Sequence, residues 1–537
     1  MKLIKEKVKT STIVGIIIAI IHFIITFLTD KKMFSLTDVN KINYITSKIL
    51  LFIILTFFWI FLCDVLIGKN QEKKRFLKYL LIYLVPSLII LFLIWPGVWY
   101  GADIYNFVEL SGICEYLYYL NYLTSIFYIL GFMIFPCTSG AIILQVVLFA
   151  FVNAYIIKNC LDIFKSKWVF LLYIPFLLFH TIFYTYYANR PIMFGILYLF
   201  LIMYLIINYQ KKENFNNKKL LFISIITAIL SVWRNEGIYL VVAIPLFIFI
   251  VYKLKINFKN IIKVISVFII TFIIVLYPQK SYELKNDTGV PSGRNLPTLI
   301  GPLSYMLSRW ELKGDNIKED LANIDKVADI EIMKKNGSFH DTPAMWNDGG
   351  CVKKYTTEEY NKFIKSYINV IKNNFWYFFR TKTNTFLSAS GITGDSFTSK
   401  SLYTSNEDSI LGRKDTKSPI NYKVRKTILN VVEGKFSDTS QMSLFNRIIG
   451  NLLIPILFIG VIFIYSIFKK NLFWFLLTGM LIGHTSILFF TAPASYFMYY
   501  FNIYLCGWII GIYYIIYFIT KNKLSKKNAV DKRTSKW

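Results

Sequence analysis

Cysteine, histidine and acidic residues are scarce in this chain of 537 residues: 6 Cys, 4 His and 31 Asp plus Glu stand against 60 Lys plus Arg. The cysteines, Cys63, Cys114, Cys137, Cys160, Cys351 and Cys506, form no CxxC pair. They keep no metal-box spacing to His22, His180, His340 or His484. A zinc module and a disulfide framework are therefore excluded. Most of the cysteines fall in or beside apolar runs, where Cys packs as a small hydrophobe. Cys114 and Cys351 are the two that would both face outward and could pair. The chain also lacks an internal repeat of fixed period. Its basic start and first apolar run resemble a signal peptide but end in Thr29, Asp30, Lys31 and Lys32 with no small-residue cleavage site, so that run reads as a retained span.

What is abundant is apolar side chain. Hydrophobic residues make up 55% of the chain and the mean hydropathy is +0.50, which excludes a single water-soluble globule. Runs of about 20 apolar residues, the length that crosses a bilayer core, recur from one end to the other. The pattern predicts an all-α polytopic membrane protein with about twelve spans, at 11–29, 46–67, 78–95, 139–157, 168–186, 191–208, 219–234, 237–253, 264–278, 449–468, 472–490 and 497–519. A further run at 122–135 stops at Pro136 and is short, so it reads as an interfacial or re-entrant helix.

The formal charge of +29 suggests nucleic acid at first sight, but its distribution argues otherwise. Lysines and arginines concentrate in the short connectors 68–78, 158–167, 210–219 and 253–263, at Lys469 and Lys470, and in the tail. The positive-inside rule places all of these on the cytoplasmic side, with both termini, provided that 122–135 does not cross. No nucleic-acid partner is expected. The chain then divides into an N-terminal membrane region 1–278, an extracytoplasmic segment 279–448, C-terminal spans 449–519 and a basic cytoplasmic tail 520–537. Segment 279–448 carries both charge signs, Trp310, Trp346 and Trp376, and turn clusters such as Asn347, Asp348, Gly349 and Gly350, so it reads as folded. Within it, 356–379 has helical spacing, headed by Thr357, Glu358 and Glu359.

Three places could carry chemistry on the outer face. Asp103 follows Trp95, Pro96 and Gly97 just beyond a span end. An acid at that depth could deprotonate an acceptor hydroxyl, or it is a solvated loop acid or helix cap. Arg234, Asn235 and Glu236 interrupt an otherwise continuous apolar run, and ionisable groups at membrane depth usually face a cavity or a partner. Arg234 either binds a phosphate with its planar fork or pairs with Glu236 to hold a hairpin turn. Arg190, in the outer turn with Ala188 and Asn189, invites the same argument. Tyr496, Tyr499 and Tyr500 open the last span, as an interfacial belt or as a platform for a sugar or phosphate.

Taken in order, these residues resemble the GT-C superfamily of membrane glycosyltransferases. Within it they are most similar to a bacterial family of multi-spanning proteins that is largely uncharacterised. The likeness rests on the Trp95-Pro96-Gly97 to Asp103 loop, on Trp233-Arg234-Asn235-Glu236-Gly237-Ile238-Tyr239, on Asn373-Asn374-Phe375-Trp376-Tyr377-Phe378-Phe379 and on 496–500. The resemblance implies a polyprenyl-phosphate-linked sugar as donor and a cell-envelope glycan, teichoic acid or protein as acceptor, at the outer face of a bacterial cytoplasmic membrane. It makes Asp103 the general base, with Arg234, Glu236, Arg190, Tyr496 and Tyr499 contributing to substrate binding. Two departures stand out. The family's His-Pro pair is replaced by Tyr119-Leu120-Asn121-Tyr122, and the acid of its outer turn is missing beside Arg190. That acid helps hold a divalent metal in many relatives, so the cofactor is left unassigned. The rival readings are an envelope polysaccharide polymerase or ligase, and a lipid-linked glycan transporter or flippase. Against transport, the spans show no paired halves and no acids at mid-depth.

Overall fold

Long apolar runs bounded by asparagine become capped helices here. Asn40, Asn70, Asn121, Asn216 and Asn471 each accept a hydrogen bond from a backbone N–H two or three residues on, satisfying a donor that the first helical turn leaves open. The computed structural model describes residues 2–99, 102–117, 121–213, 216–252, 258–285, 295–393, 413–432 and 448–534; the side chains of 2–9, 102–103, 258–260, 282–285 and 522–534 lie outside that description.

The elements run α1 (Lys2–Asp30), α2 (Lys41–Leu66), α3 (Gln71–Leu93), α4 (Ala102–Gly112), α5 (Tyr122–Ile134), α6 (Gly140–Phe164), α7 (Ile174–Leu177), α8 (Phe179–Thr185), α9 (Arg190–Gln210), α10 (Asn217–Trp233), α11 (Leu240–Val251) and α12 (Phe258–Lys285). They continue with α13 (Leu296–Arg309), α14 (Ile317–Asp325), α15 (Ile330–Lys335), α16 (Thr357–Asn373), α17 (Phe375–Ala389), α18 (Tyr422–Val432), α19 (Leu453–Phe468), α20 (Leu472–Thr491) and α21 (Phe501–Thr534). Short 3-10 turns join several of them, and among the described residues there is no strand, only the isolated bridge between Ala328 and Val352.

The chain is an all-α, multi-pass membrane protein, but with fewer full-length spans than the hydropathy pattern predicts. Among the described residues eight helices are long and apolar enough to cross, or nine if one bent pair counts as a span. The bent pair replaces the expected span 168–186: a 3-10 turn and α7 meet α8 at 67°. Carbonyls left open where α8 ends are met by protein. Gln145 Nε2 on α6 lies 2.9 Å from the Tyr184 carbonyl, 3.1 Å from that of Thr185 and 3.1 Å from that of Tyr187. The expected spans at 219–234, 237–253 and 449–468 form helices of 17, 12 and 16 residues. At about 1.5 Å per residue these fall short of a core of about 30 Å. Helix α5 is short as expected, with most of its residues buried. It packs on α6 where two glycines meet; a Cβ on Gly131 would lie 2.6 Å from the Ala141 backbone.

Three helices form the centre. In α6, α9 and the last span, 67%, 83% and 67% of the spanning window is buried, against 17–22% for α1, α2 and α3. A second apolar core, around Ile300, Leu303, Met306, Ile324, Phe363 and Val370, gathers α13 to α16. The expected helix over 356–379 divides in two. Thr356 caps α16 in a reciprocal box with Glu359, and Asn374 ends it before α17 begins. All six cysteines are free, so Cys114 and Cys351 do not pair.

Charged connectors gather at one end of the bundle. Arg75 reaches Asp162 at 2.9 Å, Lys158 reaches Glu72 at 2.6 Å, Lys73 pairs with Asp64, and Lys211 donates to Asn159 at 2.6 Å. Segments 95–99, 186–190, 233–239 and 491–500, with α13 to α18, meet at the other end.

Candidate functional site

Helix α10 ends at Trp233, and the chain turns through Arg234 and a single 3-10 turn before α11. Gly237 allows this turn to lie against the helix it leaves, since a Cβ there would come within 2.4 Å of the Leu230 carbonyl. The turn folds the Arg234 guanidinium back onto Glu236, with Nε 3.2 Å from Oε2 and Nη2 on Oε1. Both side chains are largely buried, at 5% and 14% exposure. The Tyr499 ring lies over the guanidinium at 5.4 Å, a cation–π contact. Arg190, the first residue of α9, is close enough to act on the Glu236 charge. Arg190, Arg234, Glu236 and Tyr499, proposed separately from sequence, thus share one cluster. Of the two sequence readings of Arg234, the pair with Glu236 is present. It leaves Nη1 buried with no hydrogen-bond partner among the described residues.

Tyr496 sits at the edge of the cluster. Its ring is 5.9 Å from that of Tyr499, and its hydroxyl donates to Asp341 at 2.5 Å. Next to it the Ser495 amide donates to the His340 carbonyl at 3.0 Å, and Lys382 of α17 donates to the Ala492 carbonyl at 3.0 Å. The turn between α20 and α21 is therefore held by residues from 338–388.

Asp103 is the second residue of α4, and its side chain lies outside the described residues. One turn on, Phe107 stacks on Tyr128 at 5.4 Å, and the Tyr128 hydroxyl donates to the Ala188 carbonyl at 2.5 Å, two residues before Arg190. The loop that leads to Asp103 is clamped from a distant part of the chain. Arg425 of α18 donates to the carbonyls of Trp95 at 2.8 Å and Gly97 at 3.2 Å. Trp95 Nε1 in turn donates to the Asp415 carbonyl at 3.0 Å. Gly97 has φ +103°, and a Cβ there would strike Ile142 at 2.7 Å. Of the four residues 119–122, Tyr119 and Leu120 lie outside the described residues, while Asn121 caps α5.

Sequence reasoning missed a polar group within the spans. His484 lies seven residues before the end of α20, or about 10 Å along a helix. Its Nε2 is 2.6 Å from Asn502 Nδ2, and its ring stacks with Tyr198 at 5.1 Å and Tyr239 at 5.3 Å. The two tyrosine hydroxyls are 2.9 Å apart. The available signal was a histidine and an asparagine inside apolar spans, which are costly there unless partnered. Among the described residues no three His, Cys, Asp or Glu side chains come together as a metal site. A cavity of about 350 Å³ lies at the basic end instead, lined by Tyr209, Lys469, Lys470 and Phe473 among others.

Chemically, the cluster offers two cations, one carboxylate and an aromatic surface in a partly dehydrated setting. Such a site suits an anion with an attached polar or ring-shaped group. No family model matches the chain, and no curated protein and no solved structure is significantly similar to it.

Proposed function

We propose that the chain is a GT-C-like glycosyltransferase that moves a sugar from a polyprenyl-phosphate donor to an acceptor hydroxyl on an envelope glycan, teichoic acid or protein. The observation that carries the reading is the buried Arg234, paired with Glu236, roofed by Tyr499 and neighboured by Arg190. The planar fork of a guanidinium complements the oxygens and negative charge of a sugar phosphodiester. In this reading Arg234 Nη1 and Arg190 receive the phosphate, Tyr499 packs on the donor, and Asp103 takes the proton of the attacking hydroxyl. Tyr496, tied to Asp341, links the donor side to the segment 279–448, which shapes the acceptor side. The basic connectors belong in the bacterial cytoplasm and the Arg234 cluster at the outer surface.

The test is turnover of a polyprenyl-phosphate sugar by purified variants, each assayed well below its own unfolding transition. Asp103→Asn keeps the size and removes the base, so turnover falls by about 10²–10⁴-fold. Turnover at the original rate in both Asp103→Asn and Arg234→Ala would remove the base and the phosphate site together, and the proposal with them.

A further inference from the structure

Helix α17 turns a cluster of large aromatic side chains outward. Phe375, Trp376 and Phe379 are 45%, 75% and 38% exposed, although their rings lie only 5.5–6.1 Å from one another. The patch does not stop at the helix. Phe379 meets Phe489 of α20 at 5.6 Å, and Phe489 meets Phe490 at 5.0 Å. Phe490 closes a stripe of exposed apolar residues, Leu472, Phe475, Ile482 and Phe490, along a helix that is long and apolar enough to cross a membrane. Their spacing of three, seven and eight residues puts them on one side of α20, the side turned away from the protein core. The aromatic patch of α17 is thus the continuation, beyond the end of a span, of that span's lipid-facing surface.

We infer that α17 lies in the interfacial layer of the bilayer, with Phe375, Trp376 and Phe379 among the headgroups and upper acyl chains. The occupant of this face is lipid, for two reasons. The patch is continuous with a surface that lipid must already cover. Its composition, Trp and Phe with the exposed cations Arg380 and Lys372 beside them, is that of the membrane–water boundary, where amphipathic rings and snorkelling cations are both favoured. The neighbouring face of α17 is buried in protein. It carries Lys382, bonded to the Ala492 carbonyl, and Thr385, bonded to the Phe339 carbonyl at 3.2 Å. A helix seated in the interface by one face and tied to the turn 491–496 by the adjoining one sets the height of Tyr496 and Tyr499 relative to the bilayer. The inference stands whether or not the chain transfers sugars.

The test places a nitroxide at W376C, with Cys137→Ser removing the one cysteine that is not buried, in the full chain reconstituted into phosphatidylcholine vesicles. A second label at E358C, on the exposed first turn of α16, is the aqueous reference. The expected result is that the label at 376 relaxes with oxygen in preference to a water-soluble nickel chelate, at a depth of about 5–10 Å. The reference label shows the reverse preference. Equal nickel access at both positions would overturn the inference. So would a label at 376 shielded from both reagents, with spin–spin broadening that grows with protein density, because a second copy would then cover the face. W376F offers a check that needs no label: the variant lacks a lipid-exposed emission component that brominated phosphatidylcholine quenches in the wild type. A quenched fraction unchanged by W376F would equally overturn it.

Discussion

Lys382 provides a sharp test of how the membrane region and the segment that follows it are joined. It is 1% exposed, and its one hydrogen bond among the described residues runs to the Ala492 carbonyl at 3.0 Å. Burial without a carboxylate partner pushes its ammonium down from 10.5 to about 7. At about 1.4 kcal/mol per pH unit, that gap corresponds to about 5 kcal/mol of penalty for holding the charged form in place. The direction follows from proton counting. Between pH 7 and 10.5 the docked helix binds fewer protons than the undocked one, so docking strengthens as pH rises through that window and is weakest below pH 7. Lys382→Met keeps the length of the side chain and removes both the charge and a hydrogen bond worth about 1 kcal/mol. The variant should exceed the wild type by up to about 4 kcal/mol below pH 7, and the advantage should vanish towards pH 10.5. Thermal midpoints of the two purified proteins across that range, at constant ionic strength, measure the difference directly. Parallel pH profiles, or a variant less stable than the wild type below pH 7, would refute the reasoning.

Other positions give equally direct outcomes. Removing one partner of the Arg234–Glu236 pair leaves an uncompensated buried charge, so Glu236→Gln and Arg234→Ala should each lower stability by about 3–5 kcal/mol. The double variant should lose less than the sum of the two in a denaturation series, and strict additivity would show that the pair is not coupled. Arg425→Met forfeits two charge-assisted bonds to the carbonyls of Trp95 and Gly97, at a cost of about 3 kcal/mol. Hydrogen exchange should then rise in 95–99 and 413–432 together; exchange unchanged in 95–99 would show that α18 does not hold the loop. For orientation, a cysteine at Gly349 should react with an impermeant thiol reagent in intact cells while one at Lys526 stays protected. The opposite pattern would invert the topology.

The all-helical, multi-pass character of the chain was legible from side-chain type alone, because a bilayer core demands apolar runs and internally satisfied backbones. Helix starts were only partly legible: the expected head at Thr357 lies one residue from the Thr356 cap of α16, but the spans expected from 46 and 78 begin as helices at Lys41 and Gln71. Span integrity was not legible. The run at 168–186 is apolar like its neighbours, yet its backbone bends by 67° between α7 and α8, and α8 then ends where Gln145, some forty residues away in sequence, donates to the open carbonyls. Hydropathy does not register such a partner.

The candidate site divides the same way. Arg190, Arg234, Glu236 and Tyr499 could each be singled out, because an ion or a tyrosine at the end of an apolar run is conspicuous where charge is costly. Their meeting is a tertiary fact. It depends on the crossing of α9, α10 and the last span, which pattern does not encode. His484 and Asn502 went unnoticed because each reads singly as a polar interruption, and only packing puts Nε2 and Nδ2 at 2.6 Å. The clamp of Arg425 on the Trp95 loop spans 330 residues of sequence and leaves no local trace. Local chemistry thus determined which segments are helical and which side chains are costly to bury. Which of those side chains share a cluster was decided by long-range packing, since the free energy of a buried charge depends on the partner brought to it.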